Sequence, residues 1–196
     1  MNIMCLRSAV FFAALVVLPI GCKDNSMKYK DYDRLVEDTL RRLKSGELEP
    51  LPPLLIAQHV EVSKYPLLEA GKTALESVRK AFSRVNDIES KVYLLRSMFY
   101  MADSEVCGDA LVILAAETDE EICRTASSIL TLCGDKELLP SLVDLLQEDK
   151  NSTFVLSAAE NIAQVHMPME KQLNLSEQEE IEKRKEYFLN WWYSRK

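Results

Sequence analysis

The sequence predicts an all-α fold: helix pairs stacked side by side and closed by a C-terminal capping helix. Three observations carry this. Glycine and proline number only 5 and 7 in 196 residues, so the punctuation of a turn-rich sheet protein is missing. Leu, Ala, Glu and Lys, all good helix formers, are abundant, and β-branched runs are few. Apolar residues recur at helical spacing in segment after segment, and a hydrophobic content of 47% is enough to fill a core. The charge balance narrows the function classes. Twenty-four basic residues face 31 acidic ones, a net −7, and an acidic chain does not track a phosphate backbone, so no nucleic-acid partner is expected.

Residues 1–21 carry one basic side chain, Arg7, followed by 12 apolar residues from Ala9 to Ile20. That is the short hydrophobic region of a secretory signal. As a helix it would rise about 18 Å, well short of the roughly 30 Å hydrocarbon layer, so it does not make a stable span. The run ends in Leu18-Pro19-Ile20-Gly21-Cys22 and resembles the signal of bacterial lipoproteins, whose lipobox closes with leucine, two small residues and the modified cysteine. Glycine precedes Cys22 as in that family, and Leu18 sits one place early. The resemblance implies cleavage before Cys22, a diacylglycerol on its thiol and usually a further acyl chain, such as palmitate, on its new amine. Two or three such chains, at about 0.8 kcal/mol per buried CH₂, would hold the protein on a bacterial membrane. The alternative is an ordinary signal peptide that happens to end in a cysteine. Residues 22–30 then form the lipidated tether. The expected address is the bacterial envelope: the periplasmic side of the inner or outer membrane, or the cell surface.

Residues 31–66 comprise an N-terminal helix and a Pro-rich connector. Leu35, Val36, Leu40 and Leu43 share one helical face, and Ser45-Gly46 stops the helix. Pro50, Pro52 and Pro53 keep the following stretch irregular.

Residues 67–166 fall into three helix pairs, 70–85 with 86–104, 104–118 with 119–135, and 136–148 with 149–165, with helices expected to run 11 to 18 residues. The inter-helix aspartates Asp87, Asp119 and Asp149 are 32 and 30 residues apart. In the second pair, Val106, Cys107, Ala110, Leu111 and Leu114 face Ile122, Ala126, Ile129, Leu130 and Cys133. In the third, Leu139, Leu142, Val143 and Leu146 face Val155, Ala158, Ala159 and Ile162. A lone hairpin cannot bury such stripes; stacked neighbours can.

Gly134-Asp135, the run Leu138 to Leu146, Asp149, and Ile122, Ala126 and Leu130 together resemble HEAT repeats of the phycobilisome-lyase type, over about residues 67–165. The resemblance implies an α-α superhelix. The family's arginine after the first second-helix position is replaced, by Cys123 after Ile122 and by Leu156 after Val155, so the usual arginine–aspartate ladder is not carried over.

Residues 167–196 form a linker and a Trp-rich C-terminal helix. Ser176 and Glu179 make a capping box, and Ile181, Phe188 and Trp192 recur on one face. Bacterial HEAT-type proteins close with comparable helices, which implies a cap on the last repeat. The other reading is an exposed anchor for a partner, with Trp191 its candidate contact, because Trp and Tyr dominate interface hot spots.

Chemistry-bearing patterns are sparse. His59 and His166 stand more than a hundred residues apart, no nucleophile elbow or phosphate loop is present, and Cys107, Cys123 and Cys133 lack metal-ligand spacing. No catalytic, cofactor-binding or metal site is expected. In an exported domain Cys107 and Cys133, at the same end of a helix pair, have the option of pairing, or all three serve as small core residues. Cys123 and Cys133 are about 15 Å apart along one helix and do not meet. The candidate protein-binding row is Tyr93, Arg96 and Tyr100 at i, i+3 and i+7, extended by Arg124, Glu160 and Gln164, facing an unknown envelope protein or peptide; burial of the row beneath the amino-terminal helix, with Arg96 snorkelling out, is the alternative. The expected function is a membrane-anchored, non-catalytic binding scaffold. An envelope enzyme or enzyme-accessory subunit with an unrecognised site is the other possibility.

Overall fold

A computed structural model describes residues 31–54, 60–149, 151–168 and 175–195, which are helical with no strands among them. Cys22, the signal segment, the tether and His59 lie outside the described residues. Helix α1 (Tyr32–Lys44) starts where predicted: the Asp31 carboxylate accepts from the Arg34 N–H at 3.0 Å, and Arg41, Arg42 and Lys44 fill the last turn, favourable to the helix dipole. Val36, Leu40 and Leu43 are buried. Gly46, at φ 75°, turns the chain out of the helix, and the connector that follows contributes Leu48, Leu51 and Leu54 to the core.

The first helix pair departs from expectation. Instead of one helix over 70–85, the chain forms α2 (Pro66–Ala70), a 3-10 turn (Gly71–Ala74) and α3 (Leu75–Phe82). Gly71 is the reason. Its φ of +63° and ψ of −156° break the helical path, a conformation that glycine adopts without a Cβ clash. The later pairs are α5 (Cys107–Ala116) with α6 (Glu120–Cys133) and α7 (Leu139–Gln147) with α8 (Ser152–Ala163), while α3 pairs with α4 (Ile88–Ala102). The first helices, at 8, 10 and 9 residues, are shorter than predicted. Each is preceded by a 3-10 turn, beginning at Gly71, Asp103 and Lys136. Its i→i+3 bonds tighten the backbone just where the chain must turn back into the next pair.

Within each pair the two helices pack together, and the second helices form a row in which α4 packs on α6 and α6 on α8. Ala126, Ala158 and Ala159 have no exposed surface, and their small side chains let these helices approach closely. Helix α1 rests on α3, and α9 (Glu177–Tyr193) rests on α8, its N-terminus held by the predicted Ser176–Glu179 capping box. Polar ties link neighbouring layers. Lys44 reaches Asp87 at 2.9 Å, Lys91 reaches Glu117 at 2.5 Å and Lys185 reaches Asp149 at 2.6 Å, so each inter-helix turn receives a lysine from another element. Asn151, in the left-handed region at φ 49°, donates to the Leu114 and Glu117 carbonyls at 2.6 and 2.8 Å, closing the C-terminus of α5 from the α7–α8 turn. Arg79 binds Asp109 through two nitrogens at 3.0 and 2.7 Å.

Of the two options open for the cysteines, the structure takes the bonded one. Cys107 and Cys133 form a disulfide with Cα atoms 6.2 Å apart, fastening the start of α5 to the end of α6. Cys123 is a buried free thiol, and burial raises its pKa above the ordinary thiol value.

Candidate functional site

A cleft of about 350 Å³ opens between the connector and the outer side of α4, lined by Pro50, Leu51, Ile88, Glu89, Val92, Tyr93, Arg96 and Glu121. A second hollow of about 320 Å³ continues it over the amino end of α6, lined by Ile88, Asp119, Glu120, Glu121 and Arg124. The two share Ile88 and Glu121. Local folding explains the positions. Asp87 and Asp119 cap α4 and α6, accepting from the N–H groups of Ser90 (2.9 Å) and of Glu121 and Ile122 (3.0 and 3.2 Å), which fixes where each helix starts; the packing of α4 on α6 sets their first turns on one rim. Ile88 is the first residue of α4, before the helix enters the core, and stands 47% exposed.

The row expected to form an open binding face is largely covered. Tyr93 is only 2% exposed, and the Tyr100 hydroxyl is buried as well. Arg96 Nη1 donates to the Leu51 carbonyl at 2.7 Å, so the cover includes the Pro-rich connector, drawn across α4 from 45 residues away in sequence. This corrects the open-face expectation for Tyr93 and Tyr100: the row is buried, and its cover includes the connector, whose Leu51 packs into the core, and not the amino-terminal helix alone. Arg96 keeps its tip at the cleft, 3.4 Å from Glu121 Oε1. Burial lowers the pKa of Arg96 against the opposing pull of Glu121, and burial raises those of Tyr93 and Tyr100 above the usual phenol value. The Tyr100 hydroxyl and the Nε of Arg96 are buried without a hydrogen-bond partner among the described residues, while the Tyr93 hydroxyl has Ser97 beside it.

The remaining candidates separate. Arg124 is exposed on the second hollow and paired with Glu120. Glu160, expected to extend the groove, is instead 2% exposed and held by Arg184 at 2.5 Å. Gln164 is exposed at the end of α8, in the left-handed region. Trp191 is half-buried on α9, its ring tilted against that of Phe188 with centroids 5.5 Å apart and the Arg195 guanidinium 4.6 Å above it. Trp191 is therefore far from the α4–α6 cleft in the helix order and packs as part of the cap. Ile88, Glu89 and Glu121, which the sequence reading missed, stand in the first turns next to the capping aspartates. Their signal was available: an isoleucine straight after Asp87 precedes the apolar stripe that α4 buries.

Among the described residues, no group of three or more His, Cys, Asp or Glu side chains is placed to hold a metal ion, and no helix is long and apolar enough to cross a membrane. No protein-family model, curated protein or solved structure matches the chain.

Proposed function

We propose that the chain is a lipoprotein, anchored through Cys22 to a membrane of the bacterial envelope, whose helix pairs form a HEAT-like α-α superhelix and serve as a non-catalytic protein-binding scaffold. The observation that carries the binding part is the continuous pair of clefts across the first turns of α4 and α6, with an exposed isoleucine on their shared wall. Exposed large apolar residues beside a concave surface are the usual anchor of an interface. Support for the superhelix comes from the row of second helices, α4 on α6 on α8, and from the recurring 3-10 lead-in to each first helix. A disulfide between Cys107 and Cys133 suits an oxidising compartment outside the cytoplasm.

The test is photo-crosslinking in the protein's own envelope, with p-benzoylphenylalanine placed at Ile88 or, as a control, at Val112, which is 67% exposed on α5. The expected result is a discrete adduct from Ile88 and none from Val112. No adduct from either position, or the same adducts from both, contradicts a scaffold acting through this face.

A further inference from the structure

Core packing accounts for Phe188, which α9 buries completely, but not for the aromatic turn that follows it. Trp191 and Trp192 are only half-buried, Tyr193 is 46% exposed, and Arg195 is exposed with its guanidinium 4.6 Å from the Trp191 ring centre. Rings with an apolar body and a polar edge, beside a cation on a long stem, suit a membrane–water interface. The place of this turn in the fold is a second, independent observation. Lys91 of α4 reaches Glu117, and Asn151 donates to the Glu117 carbonyl, so the three inter-helix turns lie along one edge of the row of pairs. The Tyr193 hydroxyl accepts from Gln147, the last residue of α7, and Lys185 reaches Asp149, so the aromatic end of α9 stands at one extremity of that edge. At the other extremity lies α1. Asp33 in its first turn holds Lys80, from the last turn of α3, at 2.5 Å, and Lys44 in its last turn holds Asp87.

We propose that the aromatic end of α9 is a second membrane contact: Trp191, Trp192 and Tyr193 enter the headgroup layer of the bilayer that holds Cys22, and Arg195 reaches the lipid phosphates. The inference rests on the lipid-anchor reading above and names the surface that faces the membrane. Residues 22–30 span at most about 30 Å when extended, so the tether keeps the first turn of α1 within that distance of the acylated cysteine. Both ends of α1 are tied to the edge of turns, so this edge is the one the tether draws towards the bilayer. A protein partner would accept the same rings, but the tether brings the lipid surface to them at high effective concentration. Glu117, Asp119, Glu120 and Glu121 stand between the two extremities and oppose an anionic surface. The rings therefore carry the contact, and it forms on zwitterionic lipid.

Trp191 and Trp192 are the chain's two tryptophans, so indole fluorescence reads this end of the molecule alone. The experiment takes the protein purified from its own envelope in detergent and inserts it into phosphatidylcholine vesicles, either plain or brominated near the carbonyl end of one acyl chain. The protein is expected to float with both kinds of vesicle, and the brominated lipid to quench its fluorescence by at least about a third, as for indoles at headgroup level. Tyr193→Asp combined with Arg195→Glu, both at exposed positions, should cut that quenching to about half or less, with flotation and the circular dichroism spectrum unchanged. Equal fluorescence in the two kinds of vesicle, with the protein floating, overturns the proposal and leaves the anchor standing. A protein that does not float removes the anchor and this contact with it. Quenching that the double variant leaves intact also overturns the proposal. So does a blue shift that grows with protein concentration in the absence of lipid, which would mark the aromatic end as a contact between copies of the chain.

Discussion

Asp87 shows how much one side chain carries between the elements. It caps α4 through the Ser90 N–H and accepts the ammonium of Lys44, arriving from α1. Burial works to raise its pKa, but Ser90 and Lys44 outweigh burial and bring it from 3.8 down to about 2. A carboxylate depressed in the folded state stabilises it fully above its unfolded value near 3.8, and that contribution is lost as pH falls towards 2. The side chain is 41% exposed, so solvent screening reduces its worth to about 1 kcal/mol. Asp87→Asn, which keeps a capping side chain but not the charge, should therefore be about 1 kcal/mol less stable than wild type at pH 7 and equal to it near pH 2. Urea denaturation across that range measures the convergence; a constant gap between the two proteins would show that the charge is not the cause.

Two fastenings govern whole elements. The Cys107–Cys133 bond closes a loop with a sequence separation of 26 across α5 and α6, a constraint on the unfolded chain worth about 3.5 kcal/mol. Reduction with dithiothreitol should lower the denaturation midpoint accordingly, and a midpoint that does not move would mean that the bond is absent or contributes nothing. At the other end, Arg184 holds α9 on α8 through Glu160, which is almost wholly buried, and Phe188 fills the apolar contact beside it. The Glu160 partnership holds the pKa of Arg184 above its ordinary value, and burial opposes it. Arg184→Met strands a buried carboxylate at a cost of about 3–5 kcal/mol. In hydrogen exchange the amides of α8 and α9 should lose protection far more than those of α3 and α4, because each pair leans mainly on its neighbours. Uniform loss across the chain would contradict that nearest-neighbour organisation.

At the scale of the molecule, what could be read from the sequence followed the range of the interaction. Helix pairs, the α1 and α9 caps and the facing stripes of α5 to α8 depend on contacts within a few turns, and the 3.6-residue period displays them. Two features were hidden. The 3-10 lead-ins and the Gly71 break carry no change of hydrophobic period, since the same apolar residues are buried either way. The connector's path over α4 rests on a contact between Leu51 and Arg96, 45 residues apart, which no local pattern encodes; that path covers Tyr93 and leaves Ile88 at the cleft. Between Cys107 and Cys133 the outcome was half-legible, because helix length placed them at one end without deciding whether they bond. Cys22 belongs to neither class. Its reading comes from the apolar run and glycine before it, and it decides whether the helices work on a membrane at all. Metabolic labelling with radioactive palmitate in the native host, for wild type and Cys22→Ala, with globomycin to block signal cleavage, tests this most directly. The expected result is label in the wild-type protein, none in Cys22→Ala, and accumulation of the uncleaved form under globomycin. An unlabelled wild-type protein would contradict it.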